Sequence, residues 1–288
     1  MKLAAQEGLV PGDTLAQKLA HLQAFGYDGV ELNGRELRSR LPELKAALAD
    51  SPIQASTICG GFPAQFTCPE KEKRQESIDA VRDLLGCAAE LGATGVIFVP
   101  RFNRDPGVPD LSPLYTVDQL QRDLLVAVIR PLAQYAADLG VCLLLEPLNR
   151  YEARFPKDLA DGASICEEVG SPGLRLMADF FHMSIEEADI AASLRAAAPY
   201  LRHVHLADSN RLLPGLGHTQ FREPFRVLHE IGYHGFGALE CGVPAPREET
   251  LPACTRFLRA ELAQARSEPS VAPVMAALSV ADGLTTAS

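Results

Sequence analysis

The apolar positions of the chain fall into a repeating unit. In AFGYDGVEL (24–32), ELGATGVIF (90–98) and EIGYHGFGALE (230–240), an amphipathic helix ends on glycine and a short apolar strand starts a few residues later. Ahead of the first segment, Leu15, Leu19, Leu22 and Phe25 share one helical face, and Phe221, Phe225, Leu228 and Ile231 repeat those offsets ahead of the third. Further apolar strands are predicted at 53–59, 141–146, 174–180 and 203–207, with a first strand within 1–8. Helical patterns fill 70–91, 117–139, 157–168 and 186–197. Near-continuous apolar strands alternating with helices indicate a parallel sheet covered on both faces. About eight units in about 265 residues match an α/β fold of the (β/α)8 TIM barrel type, a single domain over 1–266, followed by a small, polar, flexible C-terminal tail at 267–288.

Composition narrows the function. With 37 acidic against 27 basic residues the net charge is −10, which disfavours nucleic acid as a partner. No stretch reaches the ~18 apolar residues of a membrane span, and the start MKLAAQEG lacks a basic region followed by an apolar core. The seven cysteines form no C-x-x-C pair, and an odd number of them fits a reducing compartment. The expected location is the cytoplasm.

Four successive apolar strands carry an ionisable residue at or near their ends. Glu146 ends VCLLLE, Asp179 ends LRLMAD, His205 lies in HVHLA and Glu240 ends FGALE. A helix cap or a backbone hydrogen bond explains any one of them alone. Together they would converge on a barrel mouth, where three carboxylates repel strongly unless a cation sits between them. Three carboxylates and one imidazole suit a hard divalent ion, Mn²⁺ first and Co²⁺ or Mg²⁺ next, better than a thiolate-selected Zn²⁺.

The runs LLLEPLNRYE (143–152), LMADFFHM (176–183), HVHLADSNRLLPGLGH (203–218) and GALECG (237–242) resemble the xylose-isomerase-like barrel superfamily, in particular sugar isomerases and epimerases of the D-tagatose and D-psicose 3-epimerase type. The intervals 179 − 146 = 33, 205 − 179 = 26 and 240 − 205 = 35 are similar to those of that family. The likeness is sharp over about 140–245 and general before residue 100. It implies that Glu146, Asp179, His205 and Glu240 hold one metal ion, that Glu146 and Glu240 are also the acid/base pair, and that Glu152, His182 and Arg211 contact the oxygens of a small carbohydrate. It also leaves open a homo-oligomer paired through outer helices, a choice no helix face here makes.

The implied chemistry explains those residue types. A hydrogen beside a ketone is a very weak acid, and a divalent ion on the carbonyl and neighbouring hydroxyl supplies several kcal/mol to the enediolate that forms. Two carboxylates let one group remove the proton and the other return it to the far side. A lyase of the inosose-dehydratase or C-glycoside-cleaving type starts with the same proton abstraction and is the main alternative. An endonuclease IV-like repair enzyme would need a histidine-rich three-zinc site and a basic surface. A sugar-binding barrel without activity would not need both Glu146 and Glu240.

Other residues carry weaker signals. Asp208, three residues after His205, could bond a ligand but reads first as a helix or loop cap. Gly215 to Gly217, after strand seven, offers amides to a phosphate but lacks the third glycine of a dinucleotide loop. Glu31 and His218 could line the pocket or serve as a cap or surface group. Phe62 could form part of a lid, residues 100–113 a loop over the mouth, and Phe102 or Tyr115 a sugar-stacking wall. His21, His229 and His234 read as surface.

Overall fold

The glycine-punctuated units fold as strand and helix pairs in a computed structural model that describes residues 1–267. The order is β1 (Lys2–Gln6), α1 (Leu15–Phe25), β2 (Gly29–Asn33), α2 (Leu37–Ala49), β3 (Gln54–Cys59), α3 (Lys71–Leu91), β4 (Gly95–Phe98), α4 (Val117–Asp138) and β5 (Cys142–Leu145). It continues through α5 (Leu159–Val169), β6 (Leu174–Asp179), α6 (Phe180–Glu186), α7 (Ile190–Ala196), β7 (Leu201–Leu206), α8 (Arg222–Glu230), β8 (Phe236–Leu239) and α9 (Arg247–Ser267). The strands pair in chain order, all parallel, and β8 closes on β1 into the expected eight-stranded barrel. Ser267 ends the last helix, so the expected tail otherwise lies outside the described residues.

Local chemistry explains the punctuation. Gly26 and Gly92 cap α1 and α3 in the left-handed conformation, and Gly232 adopts it after α8, where a side chain would be strained. Thr14 with Gln17, and Thr116 with Gln119, form reciprocal capping boxes at the starts of α1 and α4, each worth about 1 kcal/mol. Three helices fall outside the patterns named from sequence. Both α2 and α9 contain a proline, Pro42 and Pro252, and α6 is only seven residues long, begun by the Asp179 carboxylate accepting from the Phe181 amide.

Alternation along the strands sorts residues into two environments. Leu143, Leu145 and Leu176 pack outward into the large cluster shared with the helices, whereas Ile97, Leu144 and Met177 meet one another inside the barrel. Ala4 and Ala238 form a second interior group with Phe236. Counting two residues onward from the interior positions of β1, β5, β6 and β8 reaches Gln6, Glu146, Asp179 and Glu240. The period of the strand therefore aims all four side chains into the C-terminal mouth, where barrels of this type place their chemistry.

Candidate active site

Glu146, Asp179, His205 and Glu240 each offer one ligand atom, and the four atoms lie within 4.8 Å of one another. Register brings them level. Asp179 pairs directly with His205, and Leu206 pairs with Leu239 just below Glu240. The buried Glu146 Oε1, Asp179 Oδ2 and His205 Nδ1 have no hydrogen-bond partner, although His205 Nδ1 stands 3.2 Å from Glu240 Oε2. Orphaned buried polar atoms are costly, and three of them facing one point fit a divalent cation, as does the donor set of three carboxylates and one imidazole.

The charges of the site reflect this crowding. Burial, and then the neighbouring Glu240 charge, pushes the Glu146 carboxyl well above the usual range and raises Asp179 to about 6. For Glu240 burial acts the same way, but His205 and then Arg211 overcome it and bring its pKa down to about 2. Burial opposes the charged form of His205, yet Glu31 and Glu240 raise its pKa well above the ordinary value. A dication would replace the protons that Glu146 and Asp179 otherwise retain.

Beneath the open group lies a second cluster that the sequence left ambiguous. Glu31, expected to be a pocket, cap or surface residue, is fully enclosed. Its carboxylate accepts from His203 Nε2 at 2.9 Å, from His205 Nε2 at 3.0 Å, from Thr57 Oγ1 at 2.5 Å and from Gln6 Nε2 at 3.0 Å. A proton held on His205 Nε2 by Glu31 leaves Nδ1 aimed at the carboxylates above. His203, which carried no signal beyond its place in HVHLA, is buried at the base of this network. Gln6 donates to both Glu31 and Glu240 and so joins the two levels.

The three residues implied as substrate contacts also reach the mouth. Asn149 donates its backbone and side-chain N–H groups to His182 Nδ1 at 3.3 and 2.7 Å, which leaves the ring proton on Nε2. That nitrogen stands 3.7 Å from Asp179 Oδ2 and 3.9 Å from Glu146 Oε1. Burial and then Arg211 lower the His182 pKa to about 4, so the ring is a neutral donor at neutral pH. Arg211 has a left-handed backbone (φ 58°), and its guanidinium stacks 4.6 Å over Phe181 while reaching Glu240 at 3.2 Å and Glu152 at 3.4 Å. Glu152 is also held by Asn149 at 3.0 Å.

Several weaker expectations are resolved. The Asp208 carboxylate accepts from the amides of Ser209, Gly215 and Thr219, making it the organiser of the loop after β7. The Gly215 amide is thereby taken, the Leu216 amide donates to the Leu213 carbonyl and the Gly217 amide to Asp208, so the phosphate reading of that loop loses its donors. His218 lines a separate surface cavity with Ser209, away from the ligand group. Phe62 and Phe102 line a cavity of about 160 Å³ with Glu146, Glu152, His182, Arg211 and Glu240, whereas Tyr115 is not part of that lining. His229 and His234 are exposed, and His21 is partly covered, bonded to the Pro11 carbonyl.

The profile described as "Xylose isomerase-like TIM barrel" matches residues 19–261. The chain belongs to this family. It is 29% identical over 241 residues, 83% of this chain and 92% of the relative, to 3-dehydro-D-guloside 4-epimerase of Escherichia coli K12. It is 36% identical over 230 residues to D-psicose 3-epimerase of Enterocloster bolteae, covering 76% of this chain and 74% of that relative. The structure of 3-keto-D-glucoside 4-epimerase from E. coli superposes with a TM-score of 0.82 at 29% identity, over 90% of this chain and 99% of that one.

Proposed function

We propose that Glu146, Asp179, His205 and Glu240 hold one divalent ion, Mn²⁺ in the first instance, and that Glu146 and Glu240 exchange a proton with the carbon beside a sugar carbonyl. The enzyme is a sugar epimerase of the isomerase class. The observation that carries the assignment of residues is the convergence of three orphaned buried atoms with the Glu240 carboxylate in the barrel mouth. When bound, the ion polarises the carbonyl and a neighbouring hydroxyl and so acidifies the adjacent C–H.

The chain supplies the remaining chemistry. Glu146 and Glu240 directly follow β5 and β8, three strands apart around the ring, so a sugar between them presents different faces to the two carboxylates. One removes the proton, and the other returns one to the opposite face, inverting the centre. His182 Nε2–H and the Arg211 guanidinium donate to oxygen as negative charge develops there, and Glu152 orients a hydroxyl. Phe62, Phe102, Val99 and Leu148 keep the walls of the small cavity apolar and limit water around the enediolate. We place the enzyme in the cytoplasm, supported by seven cysteines that are all free. No described helix is long and apolar enough to cross a membrane.

Incubation with Mn²⁺ and a keto-sugar panel in D₂O tests the reading. The expected result is one deuterium at the carbon beside the carbonyl, appearing with the epimer. Absence of label from every keto sugar, or loss of water or of an aglycone in place of an epimer, contradicts it.

A further inference from the structure

The small cavity over the ligand group has a larger neighbour on the side of β1 and β2. Cys59, Gly60 and Glu240 also line a larger compartment of about 590 Å³ over β1 and β2, bounded by Gln6, Lys18, Asn33, Arg35 and Arg40. Sites for small molecules commonly span about 300–1,000 Å³, so the 160 Å³ cavity alone falls below that range, whereas the neighbouring compartment of about 590 Å³ lies within it.

The lining of the larger compartment specifies the chemistry of its occupant. It contains no aromatic ring, and Leu32 is its one large aliphatic side chain. Its polar groups are held in place. Glu7 is 7% exposed, accepts from Arg40 through both oxygens and from the Asn33 amide, and the Lys18 ammonium donates to the Glu7 carbonyl. The outer rim carries the exposed Arg35 and Asn33. That rim is fixed by backbone contact between the loops after β2 and β3. A Cβ on Gly34 would meet the Gly60 carbonyl oxygen, and one on Gly61, itself at φ 82°, would meet the Arg35 amide nitrogen. Charged side chains, an amide and backbone polar groups offer donors and acceptors to hydroxyls and little to an apolar group.

We infer that this compartment is a second saccharide subsite, so that the enzyme acts on a keto sugar that carries a further hydroxylated unit, with the reacting ring against Glu146 and Glu240 and the second unit beside Arg35, Asn33 and Lys18. The inference rests on the epimerase reading above. It adds that the substrate is a two-unit saccharide instead of a free monosaccharide.

The test compares three substrates in D₂O with Mn²⁺: D-psicose, methyl 3-keto-D-glucoside, and a 3-keto disaccharide with the same reacting ring. The expected kcat/KM for deuterium wash-in is at least about tenfold higher for the disaccharide than for the methyl glycoside, about 1.4 kcal/mol. Arg35→Ala is expected to reduce that ratio severalfold, mainly by raising KM for the disaccharide, and Arg35→Lys to restore part of it. Label in the one-unit sugars without preference for the disaccharide overturns the subsite and leaves the epimerase reading intact. Equal loss for both glycosides in Arg35→Ala overturns the subsite as well, since that loss is structural. Wash-in with none of the three overturns the subsite together with the epimerase reading.

Discussion

Two acid and histidine clusters share His205, and they differ in how their polar atoms are satisfied. In the lower one, the Glu31 carboxylate is saturated by His203, His205, Thr57 and Gln6. In the upper one, Glu146 Oε1, Asp179 Oδ2 and His205 Nδ1 are buried without partners. Composition alone marks both as candidate ligand sets. The carboxylates separate them: Glu31 is fully hydrogen-bonded and needs no ion, even though His203 Nδ1 is itself without a partner, whereas unpartnered carboxylate oxygens in low dielectric call for a cation. The lower cluster is then a support that fixes the tautomer and orientation of the shared histidine.

The comparison breaks most readily at its upper member. Glu240→Gln or Glu146→Gln is expected to lower kcat by about 10³-fold or more in steady-state assays, since each removes an acid/base group. Chelation of the metal is expected to abolish turnover and lower Tm, and Mn²⁺ at about 1,000 times its Kd restores roughly 4 kcal/mol of apparent stability. A chelated enzyme with undiminished turnover would remove the ion from the account.

The lower cluster gives a smaller effect. Glu31→Gln keeps the shape of the side chain but weakens its hold on His205 Nε2, and calorimetry should show metal affinity reduced by about 10–100-fold. Unchanged affinity would separate the two levels. A pH titration sharpens the same point. With Asp179 raised to about 6, and Glu146 and His205 raised as well, all three must give up a proton before an ion binds, so affinity rises with pH through that region and beyond it. Affinity that is flat from pH 5 to 8 would contradict those shifts. The smallest effect is expected for Asn149→Leu, which removes the side-chain donor to His182 Nδ1 and Glu152 but keeps the backbone donor to the ring, and raises KM severalfold with little change in Tm.

The upper cluster was legible in the sequence because its members end apolar strands, where a charge interrupts a run of buried residues. Glu31 has the same signature in GVEL, but on a strand far from the other four in sequence, and only barrel closure carries it beneath His205. His203 was hidden by its neighbour, because period-two alternation turns both histidines of HVHLA inward while spacing distinguishes neither. Asn149 sits in a loop where no periodicity applies, and its role depends on the orientation of a ring from α6. The larger compartment is equally silent, since Lys18, Arg35 and Arg40 are ordinary surface cations until the Gly34 and Gly61 contact fixes the loops around them.

Anomalous scattering from a crystal grown with Mn²⁺ locates the ion. The expected result is a single peak contacted by Glu146, Asp179, His205 and Glu240, with Glu31 still bonded to His205 Nε2. A peak between Glu31 and His203, or none in the barrel mouth, would contradict it.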